Sequence, residues 1–209
     1  MVGSADFYDD ENDGQVNVTL RCRQPGSAIK PLTYLAAFEK GWTPSTIIWD
    51  IPTTYTDTAG NIYEPVNYDG RFHGPIRLRD ALANSYNIPA LRVLQDIGVP
   101  RLLDFARALG IESLGDDAAN YGLSLTLGGG EVTPLELTGA YATLANGGVH
   151  VPPVAVLKVE RANGEVLFEY EPPQTEPAVD PRVAFVISDI LADDAARRSE
   201  ERRVGKVGG

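Results

Sequence analysis

Cysteine, histidine and long apolar runs are all scarce in this sequence of 209 residues. Cys22 is the single cysteine, so no disulfide can form within the chain, and we expect its side chain to be a small buried hydrophobe. His73 and His150 are the only histidines and lie far apart without metal-ligand spacing, which argues against a metal site. No apolar run of about 18 residues and no basic, apolar leader occurs, so no membrane span or signal peptide is predicted in these residues.

Acidic residues outnumber basic ones, which bears on the class of partner. The chain has 29 Asp and Glu against 18 Lys and Arg, a formal net charge of −11. Nucleic-acid binding depends on neutralising phosphates with basic side chains, so no nucleic-acid partner is expected. The 43% of apolar and 22% of charged residues are typical of a globular domain, and 15 prolines with 21 glycines indicate many short elements joined by turns. We therefore expect a mixed α/β fold rather than a helical bundle.

Apolar spacing predicts a series of helices. The stretch from Ser27 to Gly41 has helical spacing and follows a turn at residues 25–26. Thr133 and Glu136 have the spacing of a capping box, with a proline at the first helical position. The other predicted helices span 76–83, Pro89 to Gly98, 101–110, 134–146 and a run that starts after Asp180-Pro181.

Strand signals are fewer and more local. Alternating apolar residues around an Asp-rich loop predict a hairpin within residues 1–20. Asn163-Gly164 between two apolar stretches predicts a second hairpin, because this dipeptide favours a tight type I′ turn. The segment 42–75 is rich in proline and aromatic residues and is predicted to be a long irregular stretch of the kind that often has a function.

Ser27 and Lys30 form a Ser-x-x-Lys pattern where a turn becomes a helix. Side chains three positions apart share a helix face, so the amine can reach the hydroxyl. A serine hydroxyl needs a neighbouring base to act as a nucleophile, and burial favours the neutral amine that a lysine base requires. The helix start also offers N–H groups to a developing oxyanion. Taken alone, the tetrapeptide is better explained by a serine that caps a helix, with a lysine in the solvated first turn.

Ser85 and Asn87 form a second candidate pair, Ser-x-Asn, between two predicted helices. A second hydroxyl can relay a proton between the lysine and a leaving group, and an amide can hold both a substrate carbonyl and the lysine. Both residue types are also ordinary turn formers, and this simpler interpretation holds if the tripeptide is taken alone.

The sequence around both motifs resembles the transpeptidase domain of class A penicillin-binding proteins over roughly residues 1–196. The segments that show the resemblance are MVGSAD at 1–6, RQPGSAIKP at 23–31, VNYDGRFHG at 66–74, ANSYNIPA at 83–90 and LTLGGGEVT at 125–133. The resemblance implies the fold shared by these transpeptidases and serine β-lactamases, an α/β (α+β) fold with an antiparallel sheet flanked by helices. Gly128, Gly129 and Gly130 lack the Gly-Lys-Ser/Thr of a phosphate loop and are expected to form a structural turn near the cleft.

The same resemblance implies a role for each motif residue. Ser27 is the acylated nucleophile, Lys30 its general base, Ser85 a further catalytic residue and Asn87 a substrate-binding residue. The implied reaction is D-Ala-D-Ala transpeptidation of peptidoglycan stem peptides, and β-lactams are expected to acylate the same serine. No cofactor and no metal are implied. The implied location is the extracytoplasmic face of a bacterial membrane.

The resemblance also predicts what these residues leave out. The third motif of the family, Lys-Thr/Ser-Gly, does not occur, since Lys206 is followed by Val and Gly. We expect residues 1–197 to be a partial transpeptidase domain and 198–209 a non-native tail that resembles a translated sequencing adapter. The membrane anchor and glycosyltransferase domain of a bifunctional parent are expected to lie outside the chain, and the fragment is expected to be unstable and impaired or inactive.

Three other functional classes are compatible with parts of the sequence. A class A β-lactamase would need the deacylating carboxylate of a Glu-x-x-Leu-Asn pentapeptide, which does not occur here. A non-catalytic β-lactam-sensing or peptidoglycan-binding module would share the acyl-serine step without transferring the acyl group. An unrelated structural domain would have neither step.

Overall fold

The computed structural model describes residues 3–56, 60, 62–172 and 176–197 of the chain. Six α-helices and six short strands are present in that part. The helices are α1 Lys30–Glu39, α2 Leu78–Ala83, α3 Asn87–Ile97, α4 Val99–Ala108, α5 Pro134–Ala145 and α6 Pro181–Ala192. The strands are β1 Ile47–Asp50, β2 Tyr55–Thr56, β3 Ile62–Tyr63, β4 Gly74–Arg77, β5 Lys158–Glu160 and β6 Val166–Glu169. Short 3-10 turns connect several of these elements.

The helix α1 lies at the centre of the fold. Its residues from Lys30 to Phe38 are buried on every side, and it packs against α2, α3, α4 and α6. A helix that is apolar all round can only be stable inside a core, which matches the run Leu32 to Phe38. The predicted helix after Ser27 is thus confirmed, and its N-terminal end carries the Ser-x-x-Lys pattern.

The strands form three antiparallel pairs. In the first, β1 pairs with β4, so that Trp49 lies opposite Pro75 and Asp50 opposite Gly74. The others are β2 with β3 and β5 with β6. Because α2 follows β4 directly and α3 packs on β1, the first pair lies beside the helix that Asn87 begins and the turn before it, which contains Ser85. The predicted combination of helices and antiparallel strands is confirmed.

Several local predictions are confirmed. The capping box of α5 is complete: the Thr133 hydroxyl accepts from the Glu136 N–H at 3.1 Å, and the Glu136 carboxylate accepts from the Thr133 N–H at 3.0 Å. The Asn163-Gly164 turn joins β5 and β6. The helix predicted after Asp180-Pro181 is α6, and Asp180 caps it by accepting from the Arg182 N–H at 2.8 Å.

The hairpin predicted within residues 1–20 is wrong for the part that the structure describes. Residues 3–20 contain two 3-10 turns, Asp10–Asn12 and Val18–Leu20, and no strand. The reason is local: Asp9 and Asn17 bind backbone N–H groups of the following turn, an alternative that Asp and Asn side chains offer to strand pairing. Cys22 is exposed rather than buried.

Several boundaries also differ from prediction, among them the start of α2, at Leu78 rather than 76, and the start of α4, at Val99 rather than 101. The segment 42–75 contains β1, β2, β3 and the start of β4, so it is less irregular than its composition suggested. The helix α3 begins at Asn87 rather than Pro89, which places the proline inside the first turn, where its missing N–H costs little. None of the helices in the described part is long and apolar enough to span a bilayer. The tail 198–209 lies outside the described residues.

Candidate active site

Ser27 lies in a 3-10 turn, Gly26–Ile29, that leads directly into α1. Its side chain is exposed, whereas Ile29 and Lys30 behind it are buried. A turn at the N-terminal end of a buried helix therefore presents the hydroxyl to solvent. The positive end of the helix dipole lies beside it.

Contacts from distant residues hold this turn in place. The backbones of Arg23 and Val132 exchange two hydrogen bonds, each of 3.0 Å, and the Tyr141 hydroxyl donates to the Ala28 carbonyl at 2.9 Å. Gly128 has φ 95° and packs so closely that a Cβ there would lie 2.3 Å from the Gly26 nitrogen. Only glycine fits this contact, which accounts for part of the Gly-rich segment as a structural turn, as predicted.

Lys30 is buried, with 1% of its surface exposed, and its amine reaches the second motif. The amine donates to the Ser85 carbonyl, to the Ser85 hydroxyl at 3.1 Å and to Asn87 Oδ1 at 2.7 Å. These three acceptors match the three donors of an ammonium group. Burial lowers the pKa of Lys30 from 10.5 to about 8, so a substantial fraction of the amine is neutral near neutral to mildly alkaline pH.

Ser85 has an uncommon backbone conformation, with φ 56°, directly after α2. Its N–H donates to the Leu82 carbonyl at 3.0 Å, and the Tyr86 N–H donates to the Ala81 carbonyl at 3.1 Å. These are the two bonds of a Schellman motif, in which glycine usually takes the left-handed position. Serine accepts the backbone strain there and places its hydroxyl beside the Lys30 amine.

Asn87 is the first residue of α3. Its Oδ1 accepts from Lys30, and its Nδ2 donates to the Val66 carbonyl at 2.7 Å. Its backbone N–H donates to Asn67 Oδ1 at 2.7 Å. Since both ends of the side-chain amide are engaged, its orientation is fixed.

The structure brings Lys30, Ser85 and Asn87 into direct contact and places Ser27 one turn before the lysine. Within the described part of the chain, the Ser27 hydroxyl makes no hydrogen bond, and the Lys30 amine bonds the second motif instead. Nor does any group of His, Cys, Asp and Glu side chains in that part have an arrangement that holds a metal ion.

Sequence reasoning missed three polar residues at this site: Asp50, Asn67 and His73. Asp50 is fully buried on β1, where exposed and buried residues alternate, so that it faces the same side as Ile48. A carboxylate on the core side of a strand is a detectable signal, because charged residues are almost never fully buried without a partner. Asn67 and His73 come from the loop that the resemblance covers.

The sequence matches the family described as penicillin binding protein transpeptidase domain over residues 2–208. The chain belongs to this family. Penicillin-binding protein 1A of Neisseria meningitidis (serogroup A) is 37% identical over 199 residues, which are 92% of this chain and 24% of that protein. Penicillin-binding protein 1A of Pseudomonas aeruginosa is 37% identical over 153 residues, 73% of this chain and 18% of that protein. The chain thus spans about a quarter or less of the length of these class A relatives.

Solved structures of penicillin-binding proteins share the fold. Penicillin-binding protein 1A from Haemophilus influenzae has a TM-score of 0.75 and 29% identity, covering 85% of this chain and 30% of that one. Penicillin-binding protein A from Mycobacterium tuberculosis, solved as a penicillin G acyl-enzyme complex, has a TM-score of 0.74 and 25% identity, covering 87% of this chain and 46% of that one. The predicted family and fold are confirmed. This chain carries the penicillin-binding transpeptidase domain of 1A-type proteins.

Proposed function

We propose that this chain carries the nucleophile, Ser27, and the general base, Lys30, of the serine acyl-transfer chemistry of a peptidoglycan D,D-transpeptidase, and that its own activity is impaired because Lys-Thr/Ser-Gly does not occur in these 209 residues. The observation that carries the proposal is the buried Lys30 amine, which the second motif holds one turn away from an exposed serine. An amine with a pKa of about 8 is a competent base at physiological pH, whereas a solvated lysine is protonated almost completely.

The reaction has two halves. Ser27 Oγ bonds to the carbonyl carbon of the penultimate D-Ala while its proton passes to the neutral Lys30 amine. The tetrahedral intermediate then breaks its C–N bond, and the departing D-Ala nitrogen takes a proton. In the second half, an amine of a neighbouring stem attacks the ester carbon, the C–O bond to serine breaks, and Ser27 regains its proton.

Ser85 and Asn87 have separate parts in this proposal. The Ser85 hydroxyl, 3.1 Å from the Lys30 amine and itself exposed, relays a proton between that amine and the leaving nitrogen. Asn87 orients the amine through Oδ1 and supplies an amide at the start of α3 for the substrate carbonyl. The positive end of the α1 dipole lies beside Ser27, where negative charge develops.

The proposed partners follow from the same chemistry. Stem peptides that end in D-Ala-D-Ala are the substrates, and β-lactams acylate Ser27 because their strained amide presents the same kind of carbonyl. Because peptidoglycan is cross-linked outside the cytoplasm, the proposed location of the domain is the extracytoplasmic face of the membrane. A chain extended through a Lys-Thr/Ser-Gly strand is proposed to react faster than these 209 residues, since the family resemblance implies that a hydroxyl of that motif binds the substrate carboxylate.

Labelled penicillin tests the proposal on the full chain and on its extended form. We expect covalent label on the peptide that contains Ser27, none in Ser27→Ala, and full labelling in the matched control Ser45→Ala, which changes an exposed serine in the loop before β1. Label in Ser27→Ala would remove the nucleophile assignment. Label on Ser27 in the extended chain without D-Ala release from a stem peptide would favour the β-lactam-sensing module instead.

A further inference from the structure

A buried polar cluster lies directly behind Ser85 and Asn87. It consists of Asp50, Asn67 and His73, which come from the end of β1 and from the loop before β4. Asp50 is 0% exposed and Asn67 is 2% exposed. The proposed reaction assigns no part to these residues, yet burying a carboxylate is costly unless its partners offset the lost solvation.

The Asp50 carboxylate is fully partnered. It accepts from Asn67 Nδ2 at 2.8 and 2.9 Å, from the His73 backbone N–H at 3.0 Å, and contacts His73 Nδ1 at 2.6 Å. His73 Nε2 lies 3.1 Å from the Asp69 carboxylate. Both ring nitrogens therefore lie within hydrogen-bond distance of a carboxylate oxygen, so a ring N–H can donate to the buried carboxylate.

This cluster contacts the second motif at two adjacent residues. Asn67 Oδ1 accepts from the Asn87 N–H at 2.7 Å and from the Ile88 N–H at 3.4 Å. The His73 ring stacks on Tyr86, with ring centroids 4.1 Å apart and planes 18° apart. Tyr86 and Asn87 are the two residues that follow the strained Ser85.

The helix α3 obtains its N-terminal cap from this cluster. Tyr86, which occupies the capping position, supplies no side-chain hydrogen bond to the first turn. Asn67, from 20 positions earlier, accepts from the first two N–H groups instead, while the Asp50 carboxylate behind it orients its amide. The negative charge also lies near the positive end of the α3 dipole, where it is favourable.

We propose that Asp50, Asn67 and His73 are positioning residues that fix the backbone of Tyr86 and Asn87, so that the Ser85 carbonyl and Asn87 Oδ1 face the Lys30 amine. This inference rests on the proposed function. The chain of contacts is continuous: Asp50 to Asn67, Asn67 to Asn87, and Asn87 to Lys30. Loss of one link releases the loop 85–87 and admits water to the amine.

The titratable groups around the cluster are few. Asp50 and Asp69 face His73 from β1 and from its own loop, and Lys30 lies beyond Asn87. Tyr34, fully buried on α1, is also affected by the cluster. Burial raises the pKa of its hydroxyl most, and the charge of Asp50 raises it further. Because Asn67→Ala changes no charge, a shift of the Lys30 midpoint in that variant separates positioning from a general electrostatic change.

The test follows the Lys30 amine by NMR in the full chain labelled at lysine Cε, with the resonance assigned by its loss in Lys30→Arg. The wild-type midpoint is expected near the pKa of about 8. In His73→Gln and in Asn67→Ala we expect the midpoint to move toward 10.5 by about one unit, because water relieves the desolvation of the ammonium. The matched control His150→Gln removes the other histidine, which contacts Thr143 on α5, and is expected to leave the midpoint unchanged.

A reversed pair tests the link itself. Asp50→Asn and Asn67→Asp each break the amide–carboxylate pair and are expected to shift the midpoint. The double variant restores the pair in reverse, and the carboxylate that it places at position 67 can still accept from the Asn87 N–H. We expect the double variant to return most of the way to the wild-type midpoint. Independent, additive shifts would overturn the proposal.

Two further outcomes are decisive. Wild-type midpoints in folded His73→Gln, with only the melting temperature lowered, would show that the cluster is merely structural and overturn the inference. If the core variants do not fold, His73→Gln, which changes a partly exposed side chain, decides alone. An extended chain whose Lys30 titrates near 8 but whose Ser27 takes no penicillin label would contradict the proposed function and leave the positioning result standing.

Discussion

The Lys30 amine lies 2.7 Å from the side-chain oxygen of Asn87, a residue 57 positions away in the sequence. Each of the two begins a helix, Lys30 in α1 and Asn87 in α3. Two helix starts therefore meet at one amine, and the amine is buried there. Burial lowers the pKa of Lys30 to about 8, which suits the lysine to accept a proton.

The rate of Ser27 acylation is expected to rise with pH through a midpoint near 8. The neutral amine is the active base, and burial lowers the pKa of Lys30 to about 8. The measurement is the second-order rate constant for labelled penicillin between about pH 6 and 10. Lys30→Arg keeps a positive charge at every pH in this range and is expected to lose at least about a hundredfold in rate. A rate that does not change with pH would contradict the lysine-base assignment.

The burial of Lys30 also predicts how stability depends on pH. The pKa is 10.5 in the unfolded chain and about 8 in the folded one, so between these values the unfolded chain binds a proton that the folded chain has lost. The free energy of unfolding therefore rises with pH over this window. The cost of burying a protonated Lys30 is fully present below about pH 8 and is relieved above about pH 10.5. It lowers the free energy of unfolding by about 3 kcal/mol, at 1.36 kcal/mol per pKa unit.

The comparison variant for this measurement is Lys30→Met, which has no titrating group at the position. Burial raises the pKa of Tyr34 and Tyr141, so these tyrosines also make stability depend on pH. Their contribution is the same in both proteins and cancels in the difference. Urea unfolding at a series of pH values gives that difference. Parallel stability curves for the two proteins would show that the folded chain does not perturb this lysine.

Signals that act within a few residues could be read from the sequence. Thr133 and Glu136 cap α5, Asn163-Gly164 forms the turn of the β5–β6 hairpin, and α6 begins after Asp180, as each local pattern predicted. Each depends on side chains that bind the adjacent backbone, so tertiary contacts only reinforce it. A local pattern gave a wrong prediction at residues 3–20. Alternating apolar residues predicted strands there, but Asp and Asn side chains stabilise 3-10 turns instead.

The long-range part of the site could not be derived from spacing. Ser27, Lys30, Ser85 and Asn87 were identified because their surroundings resemble a known family, and no periodicity rule brings α1 to the start of α3. The contact of Gly128 with Gly26 and the cluster around Asp50 are tertiary features. Asn67 stands in a loop where an amide usually faces water, and only the fold shows that it caps a helix.

The left-handed conformation of Ser85 predicts opposite effects on stability and activity. Ser85→Gly relieves the strain at φ 56° and is expected to raise the free energy of unfolding by about 0.5–1 kcal/mol, while removing the hydroxyl and slowing acylation. Ser85→Ala removes the same hydroxyl but keeps the Cβ, so it gains no stability. The measurements are thermal unfolding and penicillin acylation of both variants. Equal stability of the glycine and alanine variants would show that the conformation is not strained.

The close contact between Gly128 and Gly26 predicts that a methyl group there displaces the nucleophile. Gly128→Ala would place a Cβ 2.3 Å from the Gly26 nitrogen at φ 95°, so the turn 26–29 must shift. We expect a loss of about 2 kcal/mol or more in stability and a slower acylation of Ser27.

The matched control is Gly139→Ala inside α5, where a Cβ meets nothing within 4 Å. Alanine is the better helix former, so this variant is expected to gain about 0.5–1 kcal/mol and to acylate at the wild-type rate. Comparing the two variants separates loss of glycine in general from loss of this one contact. A Gly128→Ala protein that is less stable but acylates as fast as Gly139→Ala would mean that Ser27 does not depend on the Gly-rich turn for its position.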